Sequence, residues 1–291
     1  MLQRNRTQCI HGGILTAFLL GCVPLALAQT VASSSDPEAD RLALQAYYQK
    51  RFPSVALADY NQGIYALDAA SREQWEALEE FPPYEFDLET GEELFNTPFA
   101  NGQTYASCFP NGGIGIRQHY PYWNAEEGQV KTLELEINEC REKNGEQPYP
   151  WKKGPLAQIS AYLAWTSRGK PFAIEIPSDD PRALAAYEAG KRFFYSKRGQ
   201  LNHSCADCHM AGSHIYIRAD LPGPALGQPT HFPVYRSKWG ELGTLHRRYE
   251  GCHRDTRSEP LPPQSETFRN LEYFQTYMSN GLLVNGPGAR K

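Results

Sequence analysis

The chain has 291 residues, with 24 Gly, 22 Pro, seven cysteines, 41% apolar residues and a formal net charge of −4. Gly plus Pro stays under a fifth of the chain, below the roughly 25–30% of low-complexity sequence, so a disordered or collagen-like chain is excluded. The negative balance argues against nucleic acid as the main partner, because phosphate binding depends on clustered Lys and Arg. The length suits one large or two ordinary domains.

Residues 1–28 carry Arg4 and Arg6 and no acid, followed by an uncharged apolar stretch from Ile14 to Ala28 that ends Ala26-Leu27-Ala28. A basic head, a short apolar core and a small-x-small site read as a secretory signal peptide, too short for the ~20 residues of a membrane-spanning helix. Cleavage is expected after Ala28, which removes two positive charges and takes the net charge from −4 to −6. A rival is a lipoprotein signal ending at Cys22, disfavoured by the apolar Val23 to Ala28 it would leave behind. The expected location is the periplasm, with no membrane span. In that oxidising compartment free thiols tend to pair.

Beyond the leader the chain reads as all-α with long irregular loops. Asp36-Pro37 opens a helix with Leu42, Ala46 and Tyr47 at helical spacing. Ser71, with Gln74 three residues on, is capping-box-like and opens a short acidic helix containing Trp75 and Leu78. Asp180-Pro181 opens another, through Leu184, Tyr187 and Phe193-Phe194, stopping near Gly199. No long apolar–polar alternation argues for a sheet.

Shifting the chain by 112 residues aligns Pro121–Gly169 with Pro233–Gly281 without a gap: Gly128 falls on Gly240, Thr132-Leu133 on Thr244-Leu245, and Cys140 on Cys252. Upstream, Gly91-Glu-Glu-Leu-Phe95 is similar to Gly190-Lys-Arg-Phe-Phe194, each preceding a cysteine, Cys108 and Cys205. The expected organisation is a signal peptide (1–28) and two related domains, 29–178 and 179–291.

Cys205-Ala-Asp-Cys208-His209 is a Cys-x-x-Cys-His motif, the signature of covalent haem attachment. Two thiols at that spacing can form thioethers, and the histidine is then held against the iron as an axial ligand. A disulfide or zinc half-site competes, but an exported chain without a second Cys-x-x-Cys disfavours zinc. The second axial ligand is open among Met210, Met278, Cys252 and histidines 119, 203, 214, 231, 246 and 253. Met278 is the ordinary electron-transfer choice, although Tyr273, Phe274 and Tyr277 around it suit a core methionine.

Cys252 is favoured by arithmetic. Haem uses two of the five cysteines left after cleavage, and Cys108, Cys140 and Cys252 cannot all pair within the chain. In the repeat Cys108 matches the first haem cysteine, while Asn111 and Gly112 stand where Cys208 and His209 would be. The first domain therefore looks like a haem domain without its haem, in which Cys108 and Cys140 face the vacated pocket and could form a disulfide. Around Cys252, Arg236 to Arg257 carries six cations and three acids, a setting that favours thiolate and an anion site.

On the Cys205–His209 motif, the run Tyr235-Arg-Ser-Lys-Trp239 to Gly243-Thr-Leu-His-Arg-Arg-Tyr-Glu-Gly-Cys252, and the tail Ser279-Asn-Gly281 to Pro287-Gly288, the chain resembles the SoxA family. SoxA proteins are the catalytic cytochrome subunits of the periplasmic SoxAX complex of thiosulfate oxidation. The resemblance covers most of the mature chain and is to the single-haem type. It implies two cytochrome c-like domains, one covalent haem c ligated by His209 and a persulfide-modified Cys252, and a Cys108–Cys140 disulfide. It also implies oxidative conjugation of thiosulfate to a cysteine of the carrier SoxYZ, with electrons leaving through haem to SoxX. By motif position Arg248 is the substrate arginine, with Arg247 ranked second. The alternative is a non-catalytic electron-carrier cytochrome c in which Met278 or a histidine ligates iron. The acidic stretch Asp68 to Glu93, ten acids and one arginine, reads as a solvated face more readily than as a docking site.

Overall fold

Helix α1 (Pro37–Arg51) starts where its sequence predicts, because the Asp36 carboxylate accepts from the Glu38 and Ala39 amides and proline fills the first turn. The computed structural model describes residues 36–290; the leader and its Cys22 alternative lie outside them. A 3₁₀ segment, Leu57–Ala66, leads to α2 (Ala69–Glu79). The cap of α2 is Asp68, whose carboxylate accepts from the Ser71 amide at 2.7 Å. Ser71 is thus inside the helix it was expected to open, since an ionised carboxylate three residues earlier is the stronger acceptor. Helix α3 (Glu85–Asn96) follows.

The chain is helix-rich but not all-α. Strands β1 (Tyr122–Asn124) and β2 (Gln129–Lys131) form an antiparallel hairpin with Trp123 opposite Val130. Helices α4 (Leu133–Lys143), α5 (Pro155–Trp165) and α6 (Pro181–Tyr195) come next, the last capped by Asp180. A second hairpin, β3 (Val234–Arg236) and β4 (Glu241–Gly243), precedes α7 (Leu245–Asp255) and α8 (Glu266–Tyr277). Strand β5 (Gly288–Arg290) adds parallel to β3, giving the order β4-β3-β5. Each strand has three residues, fewer than the four needed for a period-2 pattern to be visible.

The two hairpins and the helices after them stand at one offset along the chain. Thr132 caps α4 by accepting from the Leu135 amide, and Thr244 caps α7 by accepting from the Arg247 amide. Tyr120–Pro121 and Phe232–Pro233 are both cis. In one half α3 crosses α5 so closely that a Cβ on Gly91 would overlap the Gln158 carbonyl; in the other α6 crosses α8, and a Cβ on Gly190 would overlap the Asn270 carbonyl.

Packing does not follow chain order throughout. Phe95, Tyr105, Leu133, Ile137 and Leu163 build one cluster. Leu44, Tyr48 and Tyr60, from α1 and the 3₁₀ segment, pack instead with Tyr187, Phe232 and Tyr273 of the carboxy-terminal half. Between α4–α5 and α7–α8 lies a buried polar seam. Arg117 is 3.7 Å from Glu272, His246 Nε2 is 3.2 Å from Glu272, and Ser160 donates to Glu134 at 2.7 Å. Burial, then the nearby Glu272, pushes the Glu134 carboxyl up. No helix among the described residues is long and apolar enough to cross a membrane.

Candidate functional site

The segment around Cys205–His209 is held by its own polar side chains. The Asp207 carboxylate accepts from the Ser204 amide at 2.8 Å and hydroxyl at 2.9 Å, and the Ser204 hydroxyl accepts from the Asp207 amide. Residues Asp207–Ala211 form a π-helical turn, closed by the Gly212 amide bonding the Asp207 carbonyl at 2.8 Å. Cys205 and Cys208 are free, half-buried thiols. Burial pushes Cys205 up to about 11, opposed by Arg198, whose Nη1 is 3.6 Å from the sulfur.

His209 Nδ1 is 2.9 Å from the Gly223 carbonyl. A carbonyl only accepts, so Nδ1 carries the proton and the Nε2 lone pair is the one left available to a metal. The amide nitrogen of Gln228 lies 3.3 Å from Nε2. Burial lowers this imidazole to about 4, which keeps it neutral at physiological pH, the form that binds metal. Two thiols for thioether links, a neutral imidazole and a third nearby thiol make a donor set that fits haem c.

That third thiol is Cys252, free and half-buried on α7. Cys208 is pushed up by burial and next by Cys252, and Cys252 is the largest influence raising Arg248. The three cysteines therefore gather with Arg248, which is one helical turn from Cys252 and 3.6 Å from Asp255. Arg236 on β3 joins them: burial first, then the like charge of Arg248, pushes it down to about 10. In the sequence it was only one cation among six, since nothing in the spacing shows that the hairpin returns this side chain to α7.

Arg247 makes its contacts elsewhere. Its guanidinium reaches Glu241 at 3.0 Å and lies 4.4 Å from the Trp239 ring centroid. Met278 is buried in the core, its sulfur 3.6 Å from the Tyr187 hydroxyl. His246 faces Glu272, and His253 bonds the Glu259 carbonyl at 2.9 Å.

Cys108 and Cys140 are disulfide-bonded, with Cα atoms 5.9 Å apart. Phe95, Phe99, Tyr105 and Phe109 fill the surrounding space, and Asn111 and Gly112 take left-handed backbone conformations.

Residues that the sequence did not single out come from α1. The Tyr48 hydroxyl donates to the His209 carbonyl at 2.5 Å, and Arg51 bonds the carbonyls of Met210, Ala211 and Ser213. A contact across 161 positions leaves no local signal.

A family model for the SoxA/TsdA cytochrome c domain matches residues 90–172, a stretch that holds both disulfide cysteines and precedes the Cys205–His209 motif. The L-cysteine S-thiosulfotransferase subunit SoxA of Allochromatium vinosum is 53% identical over 281 residues, covering 97% of this chain and 99% of that protein. The protein of that name from Chlorobaculum tepidum is 55% identical over 254 residues, 87% of this chain and 88% of its own. Among solved structures, SoxXA from P. pantotrophus matches with a TM-score of 0.68 at 30% identity, over 77% of this chain and 84% of that one.

Proposed function

The chain belongs to the SoxA family and is a cytochrome c-type L-cysteine S-thiosulfotransferase subunit of thiosulfate oxidation, and within that activity we propose a role for each residue of the site. Cys205 and Cys208 would carry one haem c through thioether links, and His209 and Cys252, the latter bearing an extra sulfur, would ligate its iron. Arg248 binds thiosulfate, and Arg247, already engaged by Glu241 and Trp239, ranks second. When bound, the haem supplies a redox centre that accepts electrons singly.

The observation that carries this reading is the convergence of Arg248 with three free thiols and a neutral imidazole. A guanidinium fork suits a dianion. In the reaction a carrier thiol and thiosulfate join through a new S–S bond, R–SH + S₂O₃²⁻ giving R–S–S–SO₃⁻ with one proton and two electrons released. The carrier is SoxYZ and the electron acceptor SoxX, the latter supported by the likeness to a SoxXA structure. A periplasmic location is supported by the leader sequence and the disulfide.

We read the fold as two cytochrome c-like units, 29–178 and 179–291, with α1 laid against the second. The common offset of the hairpins and the capped helices supports this, as does the like close crossing of α3 with α5 at Gly91 and of α6 with α8 at Gly190.

The test is Cys252→Ala in the haem-loaded protein. Intact mass should retain one haem, while conjugation of thiosulfate to the carrier cysteine is lost. Full turnover in this variant would exclude Cys252 from the chemistry.

A further inference from the structure

Helix α1 belongs to no haem motif, yet it contributes the hydroxyl and the guanidinium that bond the backbone of the attachment turn. The Ala225 amide is shared between the Tyr48 hydroxyl at 2.8 Å and the His209 carbonyl at 2.9 Å, and the Tyr48 hydroxyl donates to that same carbonyl at 2.5 Å. Two residues before Ala225, the Gly223 carbonyl accepts the His209 Nδ1 proton at 2.9 Å. Tyr48 therefore ties together both ends of the segment that orients the imidazole. The His209 carbonyl can only accept, so the Tyr48 hydroxyl is the donor in that contact.

Arg51, one helical turn on, reaches the other side of the turn. Nη1 donates to the Met210 carbonyl at 2.6 Å, and Nη2 to the Ala211 and Ser213 carbonyls at 2.9 and 3.0 Å. Its remaining contacts are the Tyr47 hydroxyl at 2.8 Å and the Phe52 ring, 5.3 Å from the centroid. Among the described residues no carboxylate pairs with this guanidinium, so its charge acts on the carbonyls that follow His209.

We propose that Tyr48 and Arg51 form a clasp that positions His209, Tyr48 by tying the His209 backbone to the segment, Gly223 to Ala225, whose carbonyl accepts the Nδ1 proton, and Arg51 by placing a cation on the carbonyls of the turn that follows His209. The proposal rests on the reading of His209 as an axial ligand. The partner of the distal ring nitrogen sets the orientation and donor strength of a metal-bound histidine. A firm Nδ1–H···O=C bond makes Nε2 the stronger donor, which favours ferric iron. A nearby cation favours the ferrous state, which carries one positive charge fewer. The two residues thus act in opposite directions on one equilibrium.

The test uses the full chain with haem attached and the variants Tyr48→Phe, Arg51→Met and Arg51→Lys. Tyr48→Phe keeps the ring volume in the core and removes only the hydroxyl. Each variant should retain one haem by intact mass. At a fixed potential the ferrous-to-ferric ratio should rise about fivefold in Tyr48→Phe and fall about fivefold in Arg51→Met, the equivalent of one hydrogen bond or a partly screened charge. Arg51→Lys should recover most of the native ratio, and Tyr48→Phe should alter the low-spin resonance signature of the haem. Unchanged midpoints, shifts in the same direction for both residues, or loss of haem from Tyr48→Phe would mark a merely structural contact and overturn the proposal. Absence of haem from the native protein would instead overturn the haem reading itself.

Discussion

Replacing Arg248 is the sharpest probe of substrate binding. The side chain is 23% exposed, and its one ion pair among the described residues is a long one, 3.6 Å to an exposed Asp255, so its donors remain open to an anion. Two charge-assisted hydrogen bonds are each worth about 1.5–3 kcal/mol. A unit charge at ~4 Å in an effective dielectric of ~20 gives a similar sum of ~4 kcal/mol. Water competes for the same donors, so the net loss in Arg248→Ala should be about 3 kcal/mol, a fall of about two orders of magnitude in kcat/KM for thiosulfate. Arg248→Lys keeps the charge but not the planar fork and should lose about tenfold. The assay is thiosulfate-dependent conjugation to the carrier cysteine at varied thiosulfate, with intact mass confirming that haem attachment is unaffected. Kinetic constants within about twofold of native in both variants would remove Arg248 from the site.

Two further outcomes test the scaffold. Gly190→Ala should lower Tm by a few degrees although alanine favours helix by about 1 kcal/mol, because overpacking against the Asn270 carbonyl and Phe274 costs about 1–3 kcal/mol; a raised Tm would show that α6 can yield. For Glu134, the folded carboxyl is raised by burial and by Glu272, so its contribution to stability is greatest below the ordinary carboxyl range and declines as pH rises through the raised value. Glu134→Gln should therefore raise Tm more at pH 8 than at pH 4.5, as thermal melts at the two pH values will show; an equal effect at both would place the buried charge elsewhere.

What could be read from the sequence was local or strictly periodic. Asp36 and Asp180 announce their helices because a cap needs only the next few residues. Cys205–His209 forms a haem-attachment motif recognisable within five residues, and Arg248 with Cys252 falls on one face by helical spacing alone. The hidden features depend on distant partners. Three-residue strands exist because hairpin and sheet neighbours bond them, not because their own pattern demands it. Arg247 and Arg248 look interchangeable in sequence, yet about 100° of rotation along α7 sends one to Glu241 and the other toward Asp255 and Cys252. Arg236 and Tyr48 enter the site through β3 and α1, elements whose places are set by tertiary packing.

The reach of α1 also bears on what it costs to close the chain. Its bond to His209 spans 161 positions, whereas the disulfide closes only 32. Loop-closure entropy grows as the logarithm of the length enclosed, so the longer loop costs about 1.4 kcal/mol more. That is about the net worth of one hydrogen bond, and α1 makes several to residues 209–213. The first helix of the described chain is a latch whose long reach adds little to its cost.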